Sequence, residues 1–157
     1  MKPHLIDMFQ FNLDANIKMV VSVKDMPGNG EMLKHLSHLA NCQYKWLERV
    51  IELPKAAQLG WWEPVHQSDD LIRRFEESTQ DWVQFLDGIE EEKLEAIIEY
   101  SRGPAGIAEV KIKDIALQLI FHSFHHRAQI QLMIREKGGA PGFIDYLGSR
   151  VTKKGGS

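Results

Sequence analysis

Apolar residues recur every three to four positions along four long stretches of the chain, which is the spacing of a helix that buries one face. The first stretch covers residues 2–24 and ends before the turn residues at 27–30. The second covers residues 30–53, with Asn29 as its predicted N-cap and Pro54 after its end. The pattern therefore predicts two helices joined by a short loop.

Two further helices and a hairpin are predicted in the rest of the chain. Residues 68–86 form the third helix, with Ser68 as its predicted cap, and residues 113–137 form a long, strongly apolar fourth helix. Between them, residues 95–100 and 107–112 flank a Gly/Pro turn and have the length of short strands. This order predicts a β-hairpin immediately before the last helix.

Four long helices and one short hairpin predict an all-α fold, an antiparallel four-helix bundle with a small β-hairpin insertion. The 157 residues have the length of one domain, which we place at residues 1–150, and residues 151–157 are predicted to be a flexible tail. Apolar residues make up 43% of the chain, enough to bury a core, which excludes a disordered or fibrous protein.

Composition and charge exclude some classes of partner and indicate a cellular location. No apolar run approaches the roughly 20 residues that cross a bilayer, so we expect no membrane partner. The formal net charge of −3 argues against nucleic acid, since phosphate binding needs a concentrated basic surface. The first residues lack the apolar core of a secretory signal, and the single cysteine, Cys42, cannot form an intrachain disulfide. We therefore predict a cytoplasmic protein.

Seven histidines are many for this length, and two of them fall on the apolar stripe of the fourth helix. His122 and His126 lie one turn apart, so their side chains converge. Each buried imidazole without a partner is unfavourable by about 1–3 kcal/mol. A divalent metal ion satisfies both rings at once, and hydrogen bonds in the core are the alternative. Ser123 follows His122, so this is not the zinc-protease HExxH motif.

A third ligand would come from the second helix, which offers His35 and His38. Periodicity favours His35, because it flanks the apolar arc of that helix, whereas His38 lies further toward the charged side. Cys42, one turn beyond His38, is interpreted as a small buried core residue, with an approach to the metal as the alternative. Trp61 and Trp62 lie in a loop and are predicted to cover the open end of the bundle.

Two segments resemble known helices. Residues 37–50, with His38 eight positions before Trp46, resemble helix two of the DinB/YfiT-like family. Residues 121–130, which contain His122, His126 and then Arg127, resemble the last helix of that family. The resemblance extends over most of the chain. It departs from the family pattern at Ala128, where the family usually has glycine, and that position is not a ligand.

The resemblance implies a four-helix bundle with a long crossover and a three-histidine site for a divalent metal. Its ligands would be His38, His122 and His126, which replaces the choice of His35 made from periodicity. Zinc or nickel is the expected metal, with iron or manganese as alternatives, because imidazole binds several of these ions. Three neutral imidazoles leave a coordination position open, as in catalytic rather than structural zinc sites.

The family resemblance also implies a class of activity. Members with a known activity are often S-transferases that use a low-molecular-weight thiol, and others resemble metal-dependent hydrolases. We therefore expect a metal-dependent enzyme acting on a small molecule, with a stress-responsive bundle that binds metal or ligand without turnover as the alternative. The candidates for proton transfer or for orienting ligands and substrate are Gln129, Asp145, Tyr146 and Asn41.

The fourth helix is apolar on two sides. One arc holds Ile115, Leu119 and Ile130, and the other holds Phe121, Phe124, Ala128 and Leu132. A bundle buries one stripe per helix, so the second arc needs cover from the hairpin and tail or from another subunit. We predict a homodimer with this helix near the interface.

Overall fold

The computed structural model describes residues 1–53 and 58–152, which form four α-helices and one hairpin. The helices are α1 (Lys2–Val23), α2 (Gly30–Val50), α3 (Ser68–Gly88) and α4 (Ile112–Glu136). Strands β1 (Ile97–Ser101) and β2 (Ile107–Lys111) pair antiparallel directly before α4. The predicted all-α bundle with a β-hairpin insertion is confirmed.

The helices form a bundle in which neighbours in sequence are not always neighbours in space. Helix α1 packs on α3 and α4, and α2 packs on the same two, whereas α1 and α2 meet over a smaller area. Helices α1 and α2 therefore occupy opposite corners. The buried core has two parts, one around Phe9 and Trp82 and the other around Met19 and Phe75.

Helix α2 ends three residues earlier than its apolar pattern predicts. Glu52 adopts a left-handed backbone with φ of 59°, and the N–H of Leu53 donates to the carbonyl of Glu48 over 2.8 Å. This is the hydrogen bond that closes a helix in a Schellman motif. Ile51 and Leu53, which continue the apolar pattern, are 44% and 39% exposed. Pro54, expected just after the helix, lies outside the described residues.

Two predicted caps differ in detail. Asn29 is the N-cap residue of α2, but its side-chain amide donates to the carbonyls of Val23 and Lys24 at the end of α1. The N-cap of α3 is Gln67 rather than Ser68, which is the first helical residue. Asn29 therefore ties the two ends of the first loop together, a role that satisfies carbonyls rather than N–H groups.

A buried polar network fixes α4 against α1. The Arg127 guanidinium donates from Nη1 to the side-chain oxygens of Asn12, over 2.5 Å, and of Asn16, over 2.6 Å. Asn12 in turn donates to Ser123 over 3.1 Å. Hydrogen bonds to several partners are directional, so they set the rotation and the axial position of α4. They act at the residue next to His126.

The second apolar arc of α4 faces outward, as its pattern predicts. Phe121 is 63% exposed and Leu132 is 55% exposed, and the segment after the helix adds Phe143 at 84%. The hairpin and tail thus leave much of this arc uncovered. None of the described helices is long and apolar enough to cross a membrane. Of the predicted tail at 151–157, residues 153–157 lie outside the described part of the chain.

Candidate metal centre

Three imidazole rings from two helices meet inside the bundle. The Nε2 atom of His122 lies 3.2 Å from Nε2 of His38 and 3.0 Å from Nε2 of His126. The ring centroids of His38 are 4.9 Å from those of both His122 and His126. His38 and His126 are each 6% exposed, and His122 is half-buried. The structure thus brings together the three histidines that the resemblance to known helices indicates.

The loop before α3 orients one of these rings. Nδ1 of His38 lies 2.8 Å from the carbonyl oxygen of Trp61, which can only accept a hydrogen bond. The Nδ1 atom therefore carries the proton of the neutral ring. As a result, the lone pair of Nε2 faces His122 and is available to a ligand.

Two nitrogen–nitrogen distances in the cluster are close to those found around a single divalent cation. In a tetrahedral site with metal–nitrogen distances near 2.05 Å, ligand nitrogens are about 3.3 Å apart. The two Nε2 separations in the structure, 3.2 and 3.0 Å, lie within a few tenths of an ångström of that value. The group whose ligand atoms all lie within 4.8 Å of one another in the described structure is His38, Cys42 and His122, and His126 adjoins it through His122.

Burial keeps these rings neutral at physiological pH. It lowers the pKa of His122 to about 4 and that of His126 to about 3, with smaller contributions from repulsion between neighbouring histidines. Burial also lowers the pKa of His38, against the opposing effect of its bond to Trp61. Metal ligation requires deprotonated imidazole, so all three rings are in the form that binds.

These pKa shifts predict a pH-dependent stability of the metal-free protein. The unfolded chain protonates its histidines near pH 6.5, whereas folded His122 and His126 resist protonation until about 4 and 3. The free energy of unfolding is therefore highest above pH 6.5 and falls as the pH decreases below it. Thermal unfolding in chelator should show a lower Tm at pH 5 than at pH 7. A smaller drop is expected for His126→Gln, and an equal drop would contradict this assignment.

His35, the ligand favoured by periodicity, lies behind His126 instead of beside it. Its Nδ1 atom is 2.7 Å from Nδ1 of His126, on the opposite edge of that ring from Nε2. The ring centroids are 5.0 Å apart. The choice made from the apolar arc correctly placed His35 near the site, but its ring contacts a ligand candidate rather than the centre.

Cys42 belongs to the site as well as to the core. Its Sγ is 3.7 Å from both ring nitrogens of His38, and the ligand atoms of His38, Cys42 and His122 all lie within 4.8 Å of one another. These three residues could hold a metal ion by themselves. Burial raises the pKa of the thiol to about 12, so it is protonated without a cation nearby. Cys42 is therefore both the buried core residue favoured from the sequence and a neighbour of the candidate metal ligands, the alternative that its one-turn spacing from His38 left open.

Trp62 covers one side of the histidine cluster. Its indole lies parallel to the His38 ring with centroids 3.8 Å apart and an interplanar angle of 7°. Its centroid is also 5.8 Å from that of His126, and the side chain remains 40% exposed. Of the two tryptophans expected to act as a cover, Trp62 is the one whose ring lies on the histidine cluster. It shields the cluster without sealing it from solvent.

Two predicted polar candidates bond elsewhere. Asn41 accepts from His66 over 3.1 Å and donates to the carbonyl of Pro64 over 3.2 Å, which fastens the loop to α2. Gln129 lies 3.2 Å from Nε2 of His125, a more exposed ring. Both residues therefore support neighbours of the site, and neither is hydrogen-bonded to His38, His122 or His126 in the described structure.

Asp145 and Tyr146 lie along α1. The Tyr146 hydroxyl is 3.5 Å from Asp7, and its ring meets Phe11 edge-on with centroids 5.1 Å apart. The Asp145 carboxylate accepts from the backbone of Leu147, over 3.2 Å, and of Gly148, over 2.9 Å. The Tyr146 contacts anchor the segment after α4 to α1, whereas the Asp145 contacts close a turn within that segment. Proton transfer by either residue remains a prediction.

A comparison with known proteins agrees with this geometry. The sequence model of the DinB family matches residues 20–154, a span that contains α2, α3, the hairpin and α4. It therefore includes all three histidines of the cluster. No curated protein matches the chain at a significant level.

Proposed function

We propose, from the premise that the chain belongs to the DinB family, that it binds a divalent metal through His38, His122 and His126 and uses it to act on a small molecule. The observation that carries the proposal is that Nε2 of half-buried His122 lies 3.2 Å from Nε2 of buried His38 and 3.0 Å from Nε2 of buried His126. We further propose zinc or nickel as the metal, since neutral imidazole binds both.

Thiol transfer is the proposed reaction, with hydrolysis as its closest variant. A divalent cation in this site would lower the pKa of a bound thiol or water toward neutrality. The residues around the ion would have separate roles. Trp61 orients His38, and Trp62 limits the access of bulk water. The co-substrate we propose is a low-molecular-weight thiol, and the acceptor is an electrophilic small molecule.

A small cavity lies between α2, α3 and the loop that joins them. It has a volume of about 300 Å³ and lies between Asn41 and Tyr44 of α2, Arg74 of α3 and the loop at 59–64. This volume is at the lower end for small-molecule sites, which are typically about 300–1,000 Å³. The described residues that line it include Asn41, three positions after His38 on α2, but none of His38, His122 and His126.

An assay of the metal-loaded protein tests the proposal. Bacillithiol, mycothiol and glutathione are each offered with a model electrophile, 1-chloro-2,4-dinitrobenzene, and chloride release and thioether formation are measured. The sulfur–carbon bond forms as the carbon–chlorine bond breaks, and the thiol proton passes to solvent. We expect metal-dependent turnover that is lost in His122→Ala. Equal activity of wild type and His122→Ala would contradict the proposal.

Cys42 favours a second function, a metal-binding bundle without turnover. With its Sγ 3.7 Å from the nitrogens of His38, it offers a fourth ligand to the three histidines. Four protein ligands are typical of closed, structural zinc sites. This function is supported if Cys42→Ala weakens metal binding strongly and the wild type shows neither thiol nor water chemistry with any metal.

We also propose that the protein is a homodimer that buries the outer arc of α4. Its support is the run of exposed apolar side chains on and after this helix, with Phe121 at 63% and Leu132 at 55%. Large contiguous apolar patches on a protein surface mark interaction sites. Light scattering at micromolar concentration checks the proposal, and a strict monomer would contradict it.

A further inference from the structure

His35 and His126 share a single proton between them. Their Nδ1 atoms are 2.7 Å apart, and the His35 side chain is only 12% exposed. Two lone pairs or two N–H groups facing each other at this distance would repel, so one nitrogen donates and the other accepts. The donor determines which edge of His126 carries a lone pair.

The carboxylate one turn earlier on α2 selects the donor. Oε1 of Glu31 lies 3.9 Å from Nε2 of His35, beyond a hydrogen bond but close enough to attract a polar N–H. A carboxylate favours the proton on the nitrogen that faces it, so Nε2 of His35 carries the hydrogen. A neutral imidazole has one N–H, which leaves Nδ1 of His35 as the acceptor and makes His126 the donor.

We propose that His35 is a positioning residue that holds His126 in the Nδ1–H form, with its Nε2 lone pair facing the cluster. The chain of contacts runs from Glu31 to His35, from His35 to His126, and from His126 to the rest of the histidine cluster. Metal-ligating histidines commonly donate their second N–H to an outer acceptor, which fixes the ring and raises the basicity of the ligating nitrogen. Here the acceptor is another imidazole instead of a carboxylate.

His38 is held in the same way by a different acceptor. Its Nδ1 lies 2.8 Å from the Trp61 carbonyl oxygen. Two of the three rings therefore present a lone pair at Nε2. Of the three Nε2 atoms, only that of His122 is left to donate, and it faces the other two over 3.2 and 3.0 Å. The metal-free cluster is thereby held together by one central N–H.

Imidazole tautomers of the metal-free protein test this inference directly. Long-range proton–nitrogen correlation spectra distinguish Nδ1–H from Nε2–H rings. We expect His126 to be the Nδ1–H form in wild type and in His35→Asn, whose side-chain oxygen replaces the acceptor Nδ1. In His35→Phe, the Nδ1–H population should fall. A wild-type His126 that is predominantly Nε2–H overturns the inference, whatever the variants do.

Zinc affinity supplies a second readout, and this part rests on the proposed function. Competition with a chromophoric chelator should show about 10–100-fold weaker binding in His35→Phe, with substantial recovery in His35→Asn. The matched control is His125→Phe, at an exposed position on α4, which should bind like wild type. Equal affinity of wild type and His35→Phe overturns the inference. If wild type binds no zinc but the tautomers are as expected, the proposed function fails and the positioning role stands.

Discussion

The substitution His122→Ala is expected to reduce the bound metal from about one ion per chain to nearly none. His122 is the central ring, because its Nε2 is 3.2 Å from that of His38 and 3.0 Å from that of His126. Without His122, the rings of His38 and His126 lose the imidazole that lies close to both of them. The loss should exceed the roughly 10–100-fold weakening that follows removal of an outer hydrogen-bond partner.

This effect is measured as metal content by mass spectrometry, on untagged protein purified without metal-affinity chromatography. His38→Ala should show the same loss, and His126→Ala should lose metal as well unless Cys42 completes a site with His38 and His122. His125→Ala is the matched control, because it removes an imidazole adjacent to His126 that bonds to Gln129 instead. Full metal content in His122→Ala, or none in reconstituted wild type, would contradict the assigned ligands.

Trp82→Ala is expected to destabilise the protein strongly, because it removes a large, fully buried side chain. Trp82 is fully buried, its ring stacks on Phe9 with centroids 5.2 Å apart, and its indole N–H donates to the Gln43 carbonyl over 3.0 Å. Truncating a buried aromatic residue to alanine lowers the free energy of unfolding by about 3–5 kcal/mol. This corresponds to a decrease in Tm of roughly 6–20 °C for a domain of this size.

Denaturant titration of the metal-free protein measures this loss apart from any ligand effect. Trp82→Phe is the control, because it keeps an aromatic ring against Phe9 but leaves the Gln43 carbonyl without its donor. Its expected cost is about 1–3 kcal/mol, between wild type and the alanine variant. A loss below about 1 kcal/mol for Trp82→Ala would show that the core repacks around the gap.

The helices and the hairpin could be predicted because each has a sequence period and a breaker at its ends. The end of α2 could not, since Ile51 and Leu53 continue the apolar pattern after the backbone has left the helix at Glu52. Periodicity reports which side chains suit a buried face, and it carries no information about a left-handed residue. Asn29 shows the same limit, because its cap position was predictable but its bonds to α1 were not.

The histidine pair on α4 follows from the one-turn spacing of His122 and His126. The partner on α2 does not, because His35 and His38 are only about 60° apart on a helical wheel. Both rings reach the cluster, one at its centre and one behind His126. Which ring occupies which place depends on the rotation of α2 against α4. Only the resemblance of residues 37–50 to a known helix selected His38.

The contacts of the loop between α2 and α3 could not be predicted from the sequence pattern. Trp62 stacks on His38, Trp61 offers its carbonyl to the same ring, and His66 bonds to Asn41. A loop has no period, so its side chains are placed by tertiary contacts alone. The aromatic residues of the loop were the one available signal, and they indicated a cover without showing what it covers.

His38 and His122 are separated by 84 positions along the chain. An unfolded chain keeps only the adjacent pair on α4 and loses the third imidazole, so a cation held by the proposed ligands would bind the native form far more tightly. By mass action, free metal at 100 times its Kd would then favour the native form by about 2.7 kcal/mol. Cellular metal supply would thus govern how much of the protein escapes proteolysis, even where nothing is being catalysed.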